Sequence, residues 1–159
     1  MGPRIRIAFV LMCAMLASTA AFAMQRACTQ MWCVEGYTLQ FNAAQWPQGQ
    51  YAFKIIADDK VYQCEGALPF NGCDAPAVTC SAAGVQIGES GCAMPAKTHG
   101  FSGLYLSDIP DNIAVTVSGP AGSFMYEGAV QKQCSFPNGE ACDPRACCSA
   151  MHSVDVRWD

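Results

Sequence analysis

Sulfur is the element of this chain best placed to do chemistry. There are eleven cysteines and two histidines in 159 residues. Cys13 lies inside an apolar N-terminal run, and the other ten are Cys28, Cys33, Cys64, Cys73, Cys80, Cys92, Cys134, Cys142, Cys147 and Cys148. Three chemistries compete for them. Structural zinc takes cysteines in close pairs arranged as two knuckles, and the tightest pairs here, Cys28/Cys33 and Cys142/Cys147, are not completed by histidines in a familiar pattern. Thiol exchange wants a C-x-x-C motif, which is absent. An even number of cysteines in an exported chain favours disulfides, which supplement a modest core. Cys142 and Cys147 flank the turn-forming Asp143-Pro144-Arg145-Ala146, which predicts a bridge between them. Cys134 would then meet Cys148 across the mouths of the same loop. Cys64 with Cys80, Cys73 with Cys92 and Cys28 with Cys33 are the further expected pairs. Adjacent Cys147 and Cys148 point to opposite faces of an extended strand, which suits separate partners.

The remaining candidates carry plain structural readings. His99 sits in the polar Lys97-Thr98-His99-Gly100 stretch and His152 just before the last expected strand. Either could act as a general base, but both read as exposed loop residues. Ser102 and Ser90, each between glycine-containing neighbours, lack the second glycine and the following helix of a nucleophile elbow. Asp108, Asp111 and Asn112 offer oxygen ligands of the kind calcium takes, yet Asp and Asn beside Pro110 are also what a turn requires. No catalytic residue, no metal ligand and no cofactor are expected. Among the aromatic residues, Trp46, which precedes Pro47 in a loop, is the candidate binding residue, able to contact a protein or a glycan.

These residues must be positioned by what surrounds them, beginning at the N-terminus. Arg4 and Arg6 precede the apolar run Ile7–Ala17, and small residues lead to Ala21-Phe22-Ala23. Charged head, short apolar centre and A-x-A exit are the parts of a secretory signal peptide, expected over residues 1–23. A spanning helix needs about 20 apolar residues, so no membrane span is expected after the signal is removed. Residues 24–159 then form one disulfide-rich domain, secreted or periplasmic. Without Arg4 and Arg6, seven basic side chains remain against thirteen acidic ones, and the basic ones are scattered. Nucleic-acid binding requires a basic footprint, and none is present.

Along the mature chain, short alternating runs are separated by turn signals. Tyr37, Leu39 and Phe41 share a face, as do Tyr51, Phe53 and Ile55. The Asp58-Asp59-Lys60 reversal leads into 61–65, the clearest hairpin. Further runs fall at 78–80, 85–87, 103–106, 113–117, 123–134 and 153–158, with 88–100 as a loop. Seven or eight strands with no amphipathic helix predict an all-β fold, an antiparallel two-sheet sandwich of immunoglobulin-like or transthyretin-like form. The strand order and the loop Pro137-Asn138-Gly139-Glu140-Ala141-Cys142-Asp143-Pro144-Arg145-Ala146-Cys147 resemble a group of small, exported, cysteine-rich bacterial proteins. That resemblance implies the sandwich fold and export, and brings no activity with it.

The sequence therefore predicts a non-enzymatic exported interaction or structural module. The first alternative is an inhibitor of proteases or other enzymes, acting through a braced loop such as 135–148 or 88–100. The second is a small hydrolase, which would need both histidines in one cleft with a carboxylate in reach.

Overall fold

Where apolar residues recur at every second position, one face of an extended chain is dry and the other wet. The computed structural model describes residues 27–159, so the leader expected over 1–23 lies outside the described residues. Trp32–Asp159 forms one unit. Its strands are β1 (Gly36–Asn42), β2 (Gly49–Ala57), β3 (Lys60–Leu68), β4 (Thr79–Cys80), β5 (Val85–Ser90), β6 (Gly100–Leu106), β7 (Asn112–Gly119), β8 (Gly122–Ala129), β9 (Gln133–Ser135) and β10 (Cys147–Asp155). A single 3₁₀ turn at Ala96–Thr98 is the one helical element among the described residues.

The strands form two five-stranded sheets, ordered β5-β6-β1-β10-β9 and β4-β3-β2-β7-β8. The all-β, two-sheet, mostly antiparallel expectation is met. The exception is β1 with β10, which run parallel with Leu39 opposite His152. Parallel neighbours need a long crossover, and here the whole of the second sheet intervenes. Ten strands replace the expected seven or eight. The 123–134 run divides into β8 and β9, and the last strand begins at Cys147 rather than Ser153.

The core lies between the sheets. Tyr51, Phe53, Ile55 and Ala57 of β2 face Tyr37, Leu39 and Phe41 of β1, and Ile113, Val115 and Val117 of β7 complete the inner layer. Phe101 is the hub of an aromatic cluster, with ring centroids 5.0 Å from Trp46, 5.1 Å from Tyr51 and 5.1 Å from Phe53. These contacts are edge-on, the arrangement that ring quadrupoles favour. Gly100 makes room for it. A Cβ there would stand 2.5 Å from the Trp46 ring.

The sulfur bridges differ from expectation in two places. Cys64 is bonded to Cys80, Cys73 to Cys92 and Cys134 to Cys148. Cys147, however, is bonded to Cys33, 114 residues away, so neither the Cys142–Cys147 pair nor the Cys28–Cys33 pair forms. The parallel pairing of β1 with β10 explains this. It brings the residues just before Gly36 alongside the start of β10, and Cys33 finds Cys147 there. Cys147 and Cys148 thus have separate partners, as alternation requires. Cys28 and Cys142 are disulfide-bonded as well.

Candidate functional site

Trp46, the expected binding residue, is a core residue. Its ring is only 7% exposed and packs edge-on against Phe101, Tyr51 and Trp158. The loop that carries it folds over the open end of the sandwich, where an indole is large enough to fill the gap between sheets. A residue that buries its ring in this way has no face left for a ligand.

His99 also departs from expectation, being buried rather than exposed. Its Nδ1 accepts the Phe70 N–H at 2.9 Å, which leaves Nε2 protonated to donate to the Met94 carbonyl at 2.9 Å. The ring stacks on Phe70 with centroids 5.3 Å apart. Both nitrogens are therefore occupied, and the histidine joins the segment after β3 to the segment after β5. The Cys73–Cys92 disulfide ties the same two segments. The clue in the sequence was phase: His99 stands two residues before Phe101, on the same face of the chain.

His152 is half-buried on β10 and faces inward. The Tyr126 hydroxyl lies 2.9 Å from its Nδ1, and the Tyr37 hydroxyl 3.4 Å. Burial, with Tyr126 beside it, pushes the Tyr37 phenol well above its ordinary range, so Tyr37 keeps its proton. Its partners are phenols, not carboxylates. Leu104 and His152 both stand opposite Leu39, and His99 precedes Leu104 by five residues, about 16 Å of strand. The two imidazoles do not line one cleft.

The other candidates resolve into local structure. Ser90 donates its hydroxyl to the Gly100 carbonyl. The Asp58 carboxylate accepts the Asp111 and Asn112 N–H groups at 2.9–3.2 Å, which makes the acidic stretch a clip between two turns. Among the described residues no group of three or more His, Cys, Asp or Glu is arranged to hold a metal ion.

What the structure brings together instead is an apolar end of the first sheet that sequence reasoning overlooked. Trp32 is 89% exposed and Val34 70%, and Phe136 is also exposed. The first two flank Cys33, which is bonded to Cys147. Phe136 follows Ser135, the β9 residue paired with Cys147. All three thus lie within a few residues of the Cys33–Cys147 bond. The 32–35 segment is anchored twice more. Arg145 Nη2 meets the Glu35 carboxylate at 2.7 Å, and the Tyr105 hydroxyl donates to the Glu35 carbonyl at 3.0 Å. A bulky apolar ring held out into water on an anchored segment is what a contact surface requires, because little ordering entropy remains to be lost on binding. The signal in the sequence was Trp32 and Val34 on either side of a cysteine, apolar residues outside any alternating run.

Comparison of the chain with protein-family models, with curated proteins and with solved structures found no match.

Proposed function

We propose that this chain is an exported, non-enzymatic interaction module that docks a protein partner through its Trp32–Val34–Phe136 end. The observation that carries the reading is Trp32, 89% exposed beside a disulfide. Tryptophan is among the residues that dominate binding energy at interfaces. Export is supported by the disulfides, which persist in oxidising compartments, and none of the described helices is long and apolar enough to cross a membrane. The absence of a usable general base at His99 supports a non-catalytic role.

The test is co-purification of a partner from the extracytoplasmic fraction of the source, comparing the wild type with Trp32→Ala. Alanine at this exposed site should leave unfolding stability within about 0.5 kcal/mol, while partner affinity should fall more than about tenfold, as at an interface hot spot. Equal retention by the two proteins would refute the docking role. So would turnover of an ester, amide or glycoside substrate that disappears in His152→Ala.

One observation favours the inhibitor reading as an alternative. The Asp143 carboxylate accepts both the backbone N–H of Asn138 at 2.8 Å and its side-chain amide at 2.7 Å, and Cys134–Cys148 closes the loop's base. A loop so braced resists distortion on binding. Inhibition of a protease panel at micromolar concentration, lost in Asp143→Ala, would select this reading over the first.

A further inference from the structure

β5 ends one edge of the first sheet, the edge opposite β9. The Ser107 N–H donates to the Gly84 carbonyl at 2.8 Å, which sets the phase of the β5–β6 ladder. Opposed residues in an antiparallel ladder alternate between exchanging hydrogen bonds and turning their N–H and C=O groups away. Gly84 exchanges with Ser107 and Gln86 with Tyr105. Val85 and Ile87, opposite Leu106 and Leu104, therefore turn their backbone groups to the free side of the sheet. Beyond that free side lies a groove of about 640 Å³ at the seam between the sheets.

The seam is held open rather than zipped. Glu89 reaches across from β5, and its Oε1 accepts the Ala77 and Val78 N–H groups at 2.6 and 3.0 Å. The Cys73–Cys92 bond spans the same end. No strand of the second sheet pairs with β5. By contrast, the β8 edge is partly covered, since the Asp159 N–H donates to the Ser123 carbonyl at 3.0 Å. The groove walls are small and apolar, with Ala75, Pro76, Ala82 and Ala83. Its charged residues are Asp74 and Glu89, and no lysine or arginine lines it. Unpaired backbone groups at a sheet edge are a template for a further strand, and two carboxylates without a cation select its charge.

We propose that this groove is a strand-addition site for an extended peptide carrying a basic residue among small or branched apolar ones. The peptide backbone would pair with Val85 and Ile87, its apolar side chains would rest on the alanine wall, and its cation would face Asp74 and Glu89. This surface is separate from the Trp32 end and does not depend on the role proposed for it.

A nitrogen-15 NMR titration with a capped heptapeptide of alternating valine and lysine tests the proposal. Saturable shifts are expected at the Val85 and Ile87 amides. The same peptide with glutamate for lysine should bind about tenfold or more weakly, and charge reversal at exposed Asp74 (Asp74→Lys) should invert that preference. A version N-methylated at alternate residues, which cannot pair, should not bind. Trp32→Ala should bind the peptide as the wild type does. Absence of saturation, equal binding of the methylated peptide, or concentration-dependent shifts of the same amides without peptide, the mark of a second copy in the groove, would each overturn the proposal.

Discussion

The middle of the sandwich and its rim are held together by different forces. In the middle, Phe101, Phe53, Tyr51 and Trp46 bury their rings against one another, and strands of seven to nine residues, such as β1 and β2, pair along most of their length. At the rim, β4 has two residues and β9 three, and none of them is buried. Each is bonded by a disulfide to its neighbour, β4 through Cys80 to Cys64 and β9 through Cys134 to Cys148. Cys64 is the one buried cysteine among the described residues. Covalent bonds sit where the chain has too little apolar surface to hold itself down, which is the use that small exported domains make of them.

The largest expected effect comes from the middle. Phe101→Ala removes the hub of the ring cluster and should cost about 3–5 kcal/mol, lowering the urea midpoint of the whole domain and the exchange protection of both sheets together. A smaller loss would mean that the rings share the burden more evenly than their geometry suggests. Replacing Cys134 and Cys148 together by serine opens a short loop, and should cost about 3 kcal/mol or less in the chain-entropy account. The character of the loss matters more than its size. Amide exchange should quicken in Gln133–Ser135 and the start of β10, while β2 and β7 keep their protection. Loss spread over both sheets would erase the distinction between rim and middle.

A weaker effect should appear at alkaline pH. Desolvation raises the Tyr51 phenol to about 12, and its hydroxyl donates to the Pro47 carbonyl. The folded state thus holds the proton more tightly than the unfolded chain, whose tyrosines ionise near 10. The stabilisation is complete below pH 10 and fades as the pH rises from 10 to about 12. Tyr51→Phe should flatten this part of the profile of unfolding free energy against pH. An unchanged slope would show that Tyr51 does not contribute to it. Tyr37, shifted in the same direction by burial, should continue the decline.

Much of the middle was legible from residue order. Tyr51, Phe53 and Ile55 announced the inner face of β2, and Ile113, Val115 and Val117 that of β7, because one buried face forces a period of two. Three disulfides between cysteines 14 to 19 residues apart also follow from local turns. Trp46 was misread because an aromatic residue in a loop carries no period. His99 was misread because its polar neighbours hid its phase with Phe101. Neither error could be repaired without knowing which segments return to cover the ends of the sheets.

By itself, then, the order of amino acids determined that the fold of the described residues is all-β, which residues of its main strands face inward, and that its cysteines bond to one another. Those properties arise from neighbours along the chain, where alternation and turn chemistry act directly. Only the tertiary structure decided that β1 lies parallel to β10, that Cys33 meets Cys147, and that Trp32 faces water while Trp46 does not. Each of these depends on two segments far apart in sequence meeting in space, and the choice among such meetings is made by the packing of the whole core rather than by any pattern within a segment.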